Sequence, residues 1–531
     1  MHACLNVDEI VRLIARELIG SGGRGTAVSL ACCCKSLEDP VLDALWAKHE
    51  PLLKLLLKLP LSNVWNEDEC TVSVTPTCVF PFLNNLTRQS SKSLPTTMEW
   101  ARFQKYAQRI RELSEYATLD SPSWKTLSVI RLSIINGPLL PNLKTLHLWE
   151  IEMSFIPFIP LFISPRTTVI ILRFRERDRP DLPKVTVASM ITTFPTICPN
   201  LQAIRLENLP SDPIITTAVS GMFLATNRNT LQHLHVDSTL TEEAGGVLYR
   251  LPELRSLSVV IEGETPLPSA SLPNLTELTI TCDNEDNWPQ PFHGATLGKL
   301  ESVTFIPRSE QIGDFLGAFQ RAALPLTLQN TLSKFHLSLR YSWNPNYSSL
   351  LPFTQLVDLE VGSSCDGGCS SRMDDNIITN LSRAMPKLES LLLDDVPCYQ
   401  FTTGVTAKGL MALAHNCPKL SLLRVHFQVA TLGVAPAGPG ISPWAKSTAP
   451  WVACALTELV VGETPLPEES VLRVAMTLLL IFPQITFIYA GDNEEEWEEV
   501  QSAINDSKRI IERSSKQHPS LRLRIPSMTT L

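Results

Sequence analysis

The chain has 531 residues, 44% of them hydrophobic, with 45 lysines and arginines against 54 acids and a formal net charge of −9. That length exceeds one ordinary domain and can bury a large core or a very elongated one. No dense basic run offsets the negative charge, which argues against nucleic acid as the main ligand, because phosphate binding needs clustered cations.

The first ten residues, Met1 to Ile10, carry acids where a secretory signal would have an apolar stretch. The 13 cysteines are odd in number and scattered, so they read as reduced thiols of an intracellular protein, cytoplasmic or nuclear. The most apolar run, Met153 to Ile163, is broken by Pro157 and Pro160 and is too short to span a bilayer, so no membrane is expected.

Ile10, Leu13, Ile14 and Leu18 lie on one helical stripe, and Asn6 with Glu9 has the spacing of a capping box. Gly20-Ser-Gly-Gly-Arg-Gly25 reads as a flexible break without the Gly-Lys-Ser/Thr ending of a phosphate loop. Ala27, Leu30, Ala31 and Cys34 form a second stripe. Asp39 is expected to cap a third helix whose first position is Pro40, with Leu42, Leu45 and Trp46 on its apolar side.

Cys32, Cys33 and Cys34 are consecutive. Successive helix residues point about 100° apart, so three in a row cannot converge on one ion. No second cluster with zinc spacing follows, so no metal and no cofactor is expected, and the cysteines serve as small apolar residues. Residues 51–120 read as a linker with an amphipathic helix from Met98 to Leu113.

From Leu127 onward one pattern recurs: apolar, two variable residues, apolar, one variable, apolar. Leu143-Lys-Thr-Leu146-His-Leu148 and Leu201-Gln-Ala-Ile204-Arg-Leu206 are clear copies. Others start at Val169, Leu231, Leu254, Leu275, Leu300, Leu332, Leu356, Leu388, Leu420, Leu456 and Ile485. The mean spacing of about 27 residues falls in the range of leucine-rich repeats. Prolines such as Pro141, Pro273 and Pro386 precede copies, where a fixed φ suits the start of a strand. Helices fill the gaps; in the clearest unit Thr406 caps a helix with Leu410, Leu413 and Ala414 on its apolar stripe, and Pro418 stops it. No such unit buries its apolar face alone, so neighbours must stack.

Residues from about 127 to 525 therefore resemble leucine-rich repeats of the long, helix-containing kind, which often end their helix in Cys-Pro, as Cys198-Pro199 and Cys417-Pro418 do. The resemblance implies that both thiols are packed inside the turn. The N-terminal segment resembles an F-box, on Glu9-Ile10, the Leu13/Ile14/Leu18 stripe, Leu30-Ala31, Cys34-Lys35 and Leu45-Trp46. It has Val7-Asp8 where the family usually places a proline. F-box, linker, amphipathic helix and degenerate repeats in this order are similar to the F-box proteins common in basidiomycete fungi.

The expected fold is thus α/β: a three-helix F-box over 1–50, a linker and lead-in helix over 51–120, and a leucine-rich-repeat solenoid over 121–531 closed by a C-terminal helix from Glu494 to about Arg513. The resemblance implies a non-enzymatic substrate-receptor subunit of a ubiquitin ligase. It would dock a Skp-type adaptor, and through it a cullin, by Val7, Ile10, Ile14, Leu18, Leu30, Ala31, Cys34, Leu42, Leu45 and Trp46. The repeats would hold an unidentified protein substrate on variable strand positions and on loops such as Tyr341–Tyr347 and Ala435–Trp451. The alternative is a repeat scaffold outside any ligase. Cys365-Asp-Gly-Gly-Cys369 offers only two metal ligands, and Asp283-Asn-Glu-Asp-Asn287 lacks the Gly and Glu of a calcium loop. No His-Glu-x-x-His or Gly-x-Ser-x-Gly motif is present.

Overall fold

The computed structural model describes residues 7–49, 97–116, Leu127, and 137–517 apart from short breaks, the longest being 283–296 and 433–453. Two compact units result, Met1–Leu254 and Arg255–Leu531.

The first unit opens with three helices, α1 (Asp8–Gly20), α2 (Arg24–Cys33) and α3 (Lys35–Ala47). Next come β1 (Lys48–His49), α4 (Thr97–Ala107) and β2 (Glu112–Tyr116). The ladder continues through β3 (Thr145–Ile151), β4 (Val169–Phe174), helix α5 (Lys184–Ile197), β5 (Ala203–Glu207), helix α6 (Pro213–Ala225) and β6 (His233–Thr239). Each strand from β1 to β6 pairs in parallel with the next.

The second unit carries β7 (Ser256–Ile261), β8 (Glu277–Cys282), β9 (Ser302–Pro307), α7 (Phe315–Ala323), β10 (Lys334–Leu339) and β11 (Asp358–Ser363). It continues with α8 (Asp375–Ala384), β12 (Ser390–Leu393), α9 (Ala407–Asn416), β13 (Leu422–Arg424), β14 (Glu458–Gly462), α10 (Val471–Ile481), β15 (Phe487–Ala490) and α11 (Glu494–Gln517). All neighbours from β7 to β15 pair in parallel.

The repeat pattern dictates this register. Leu146, Ile170, Ile204 and Leu234 stand in one row, and Leu257, Leu278, Val303, Phe335, Leu359, Leu391, Leu423, Leu459 and Ile488 in another. Period-two alternation sends these side chains to the helix-covered face and polar neighbours to the open one, as in the buried-every-second pattern of β8 and β9. A slip of one residue would expose the whole row, so burial itself locks the register. The first leucine of each motif, such as Leu143, Leu275 or Leu420, lies just ahead of its strand and is fully buried.

Polar groups ahead of the strands are satisfied by a second repeating device. The carbonyl just before a strand accepts N–H groups from two successive residues of the next repeat: Val357 from Glu389 and Ser390, then Glu389 from Ser421 and Leu422. A hydroxyl often adds a third bond, as when Ser421 Oγ donates to Glu389 O at 2.9 Å and Thr457 Oγ1 to Ser421 O at 3.2 Å. Because unpaired backbone groups are costly, this explains why Ser and Thr recur there. Thr406 Oγ1 accepts from Lys408 N, capping α9 as expected. The Asp375 carboxylate ties α8 to α9, accepting from Thr406 N, Thr406 Oγ1 and Gly409 N at 2.7–2.9 Å.

The helix-ending cysteines are buried against carbonyls: Cys198 Sγ faces Ser164 O, and Cys417 Sγ faces Ser382 O and Met385 O. Cys454, one repeat later, is likewise buried against carbonyls, facing Cys417 O and Leu420 O. No proline follows Cys454, so the Cys-Pro signature does not mark it. Burial pushes the Cys198 and Cys417 thiols to about 12 and Cys454 to about 11.

Some sequence expectations are corrected. The copy at Leu127 is not a described strand; Leu127 is helical and buried, and β2 precedes β3 instead. Glu112-Leu-Ser-Glu-Tyr116 alternates in burial and places Leu113 beside Leu146, a register that the six-residue motif does not detect. The lead-in helix ends at Ala107 and not Leu113, because Arg111 joins the sheet network: its N–H donates to Ala47 O and its carbonyl accepts Lys144 and Thr145. The C-terminal helix does cap its unit: Trp497, Val500 and Ile504 are buried, Trp497 Nε1 donates to Thr464 O, and the helix runs on to Gln517.

Candidate functional site

The N-terminal helices enclose a core of mostly small side chains: Val11, Ala15, Ala27, Ala31, Leu37, Val41 and Ala44. Small residues let the helices approach closely but bury little area, so this module is thinly stabilised by itself. Val7 precedes α1 with no side-chain cap bond; Asn6, of the expected capping box, lies outside the described residues. Asp8 and Glu9 instead favour the positive helix end, and Asp8 sits 3.9 Å from Arg12.

The glycine-rich break is a built turn. Gly22 has φ +82°, Gly22 N–H donates to Ile19 O, and Gly23 N–H donates to Leu18 O at 2.7 Å. These are the paired bonds of a Schellman ending, which needs a left-handed residue at Gly22. A Cβ at Gly23 would stand 2.9 Å from Leu18 O.

Cys32 and Cys33 end α2 and are exposed, whereas Cys34 is extended between α2 and α3, with Sγ 3.2 Å from Ser36 Oγ. That hydroxyl lowers the Cys34 thiol from its ordinary range. The third helix begins at Lys35, not after Asp39, because extended Cys34 presents its carbonyl to Leu37 N. Pro40 therefore lies inside the first turns, buried.

The ten residues expected to dock an adaptor divide into two sets. Val7, just ahead of α1, and Ile10 and Ile14 on α1 are exposed, and Leu13 beside them is 62% exposed. Val11 and Ala15, on the opposite side of α1, take the core positions. Ala31 is buried, and Leu18, Leu30, Cys34 and Leu45 pack partly against the core. Leu42 is half-buried, and half-buried Trp46 meets Tyr106 of α4 with ring centroids 4.9 Å apart. An apolar α1 face therefore stays uncovered, while half of the sequence-derived set holds the module together.

This module is joined to the repeats. Arg109 binds Asp39 and Asp43 of α3 and donates to the Asp39 carbonyl at 3.1 Å. Arg12 of α1 reaches the same Asp43 at 3.2 Å. With β1 paired to β2, three helices become the first layer of the ladder. The Asp39 and Asp43 bonds, working against burial, raise the Arg109 guanidinium above its ordinary range. Sequence reading missed Arg109 because its partners lie 66–70 positions away.

On the open strand face of the first unit, Arg173 stands over Trp149 at 5.9 Å and His147 packs on Trp149 at 3.9 Å, with burial lowering His147. In the second unit His336 Nε2 meets Asp358 at 3.0 Å and Nδ1 lies 3.7 Å from Glu360. The loop Ala435–Trp451, expected to hold substrate, Cys365–Cys369 and Asp283–Asn287 lie outside the described residues, as does Tyr341–Pro345; Tyr347 is buried. Among the described residues no three His, Cys, Asp or Glu groups gather as metal ligands, and no helix is long and apolar enough to cross a membrane. No protein-family model matches the chain, and no curated protein matches it.

Proposed function

We propose that this chain is a substrate-receptor subunit of a Skp–cullin–F-box type ubiquitin ligase, with α1–α3 as the F-box and the parallel repeats as the substrate-holding surface. The observation carrying this reading is the uncovered apolar face of α1, Val7, Ile10, Leu13 and Ile14, on a module fused to the repeats through Arg109. A face of this kind is costly in water and marks an interaction surface. The receptor does no covalent chemistry. It raises the effective concentration of substrate lysines beside the activated ubiquitin by tethering. A rigid joint between docking module and repeats serves that purpose, since a fixed span holds the substrate at one distance.

The exposed strand face, with Trp149, Arg173 and Tyr116, has the aromatic and arginine content favoured in protein interfaces. A repeat scaffold outside any ligase is the second reading, favoured by Asp8 in the position where the F-box family usually has proline.

The test is co-expression with a Skp-type adaptor. Ile10→Asp with Ile14→Asp should abolish co-purification while the repeats keep their unfolding midpoint. Leu18→Asp is the wrong probe, because Leu18 packs on the module core. Undiminished binding by the double variant would refute the assignment of α1.

A further inference from the structure

Along α10, Val471-Leu-Arg-Val-Ala-Met-Thr-Leu-Leu-Leu-Ile481, Arg473 is the one charged residue. A helix apolar all round is normally covered all round. Here Val474, Ala475, Leu478 and Ile481 are buried, but Leu472 and Leu480 are each 65% exposed and Met476 between them 42%. Spaced four residues apart, these three form one stripe about 12 Å long on the outer face of the helix.

The neighbouring helix α11 forms a second wall. Trp497 Nε1 donates to Thr464 O, ahead of α10, while Ser507 Oγ lies 3.7 Å from Met476 Sδ in its middle, so the two helices run side by side in the same direction. Buried Trp497, Val500 and Ile504 hold α11 on the core, so the surface exists before any partner arrives. Ile510, one turn beyond Ser507 and 63% exposed, extends the apolar surface. At the other end Glu496 stands three turns ahead of Ser507 on the same face, with Glu495, Glu498 and Glu499 exposed around it. From Glu494 to Ser507 the helix carries six acids and no lysine or arginine.

We propose that the outer face of α10 and α11 docks a basic amphipathic helix of another protein. Apolar side chains of that helix, one turn apart, pack on Leu472, Met476, Leu480 and Ile510 as a helix laid in a groove. Its lysines or arginines lie over the acids of the first half of α11, where opposite charge sets orientation and speeds encounter. Charge decides the class of partner, because an acidic segment or an anionic membrane is repelled by six acids. The claim is independent of adaptor docking on α1 and rests on the second unit alone.

Fluorescence anisotropy on the full chain tests it, with a labelled helical peptide of leucine and lysine whose leucines stand one turn apart. Binding should weaken with salt and should fall by at least about tenfold in Leu472→Ser with Leu480→Ser, a pair too exposed to hold the fold together. Ile10→Asp with Ile14→Asp should leave it unchanged, and a matching leucine–glutamate peptide should not bind. The proposal is overturned by no binding to the wild type, by wild-type affinity in the serine variant, or by equal binding of the glutamate peptide. Loss in the α1 variant overturns it too, since that places the peptide on α1. So does a wild-type dimer in sedimentation that the serine variant turns into a monomer, which assigns the stripe to a second copy.

Discussion

Replacing Arg109 by methionine should loosen the N-terminal three-helix module without unfolding the repeats. The arginine side chain is 11% exposed, its partner Asp43 33% and Asp39 73%. The exposed Asp39 contact contributes under ~1 kcal/mol, as surface pairs do. The half-buried Asp43 bond is charge-assisted and contributes about 1.5–3 kcal/mol. Arg12 remains 3.2 Å from Asp43, so the carboxylate is not left alone and the loss falls at the lower end, about 2 kcal/mol in total. Methionine keeps the apolar stem, so little packing is lost. Since 1.4 kcal/mol is tenfold in an equilibrium constant, opening of α1–α3 should become about 30-fold more frequent. Hydrogen exchange resolved by peptide reads this directly: α1–α3 should speed up by that factor while β3–β5 hold their rates. Equal acceleration in both regions, or none in α1–α3, would show that Arg109 is not the joint between module and ladder.

The buried thiols give a second expectation. With pKa values pushed to about 12, 12 and 11, Cys198, Cys417 and Cys454 should stay unlabelled by a thiol reagent at about pH 8, while Cys32 and Cys33 react at once; labelling of the three in native protein, located by mass spectrometry, would contradict the turn packing. A third concerns pH. The Asp358 bond raises His336 and in turn lowers Asp358, so the His336 contribution is full below the ordinary histidine value near ~6.5 and fades as pH rises through the raised one, whereas that of Asp358 is lost in acid. His336→Gln should therefore cost up to about 1 kcal/mol in denaturant unfolding near pH 6 and less near pH 8.5, both groups being partly exposed; a pH-independent cost would remove the ion pair from the account.

The parallel ladder was legible because its signal is repeated: most copies from Leu143 onward place the same three residues in the core. Two depart: the Val169 copy is shifted, since Ile170 and Leu172 stand beside Leu146 and Leu148 and Val169 is only half-buried, and the Ile485 copy leaves Ile488 and Ala490 half-buried. The rest of the copy at Leu127 lies outside the described residues, and β2 escaped because two-residue alternation over five residues is a weak pattern. In the N-terminal three-helix module, periodicity found the apolar Ile10, Leu13, Ile14 and Leu18 stripe of α1 but not its core positions, Val11 and Ala15. Val11 and Ala15 go inside because small residues let α1 come close to α3, and Ile10, Leu13 and Ile14 stay out. Joints such as Arg109 to Asp43 or Asp375 to Gly409 join residues dozens of positions apart, beyond any local pattern. The same holds for Cys454, whose place is given by the Cys417 carbonyl and not by a neighbouring proline.

The receptor reading is tested most directly by co-purifying a Skp-type adaptor with the full chain beside a chain that begins near residue 95, in mild salt. The account predicts that the full chain retains the adaptor and the shortened chain does not. Retention by neither, with the repeats folded in both, would contradict it and leave a free-standing binding scaffold.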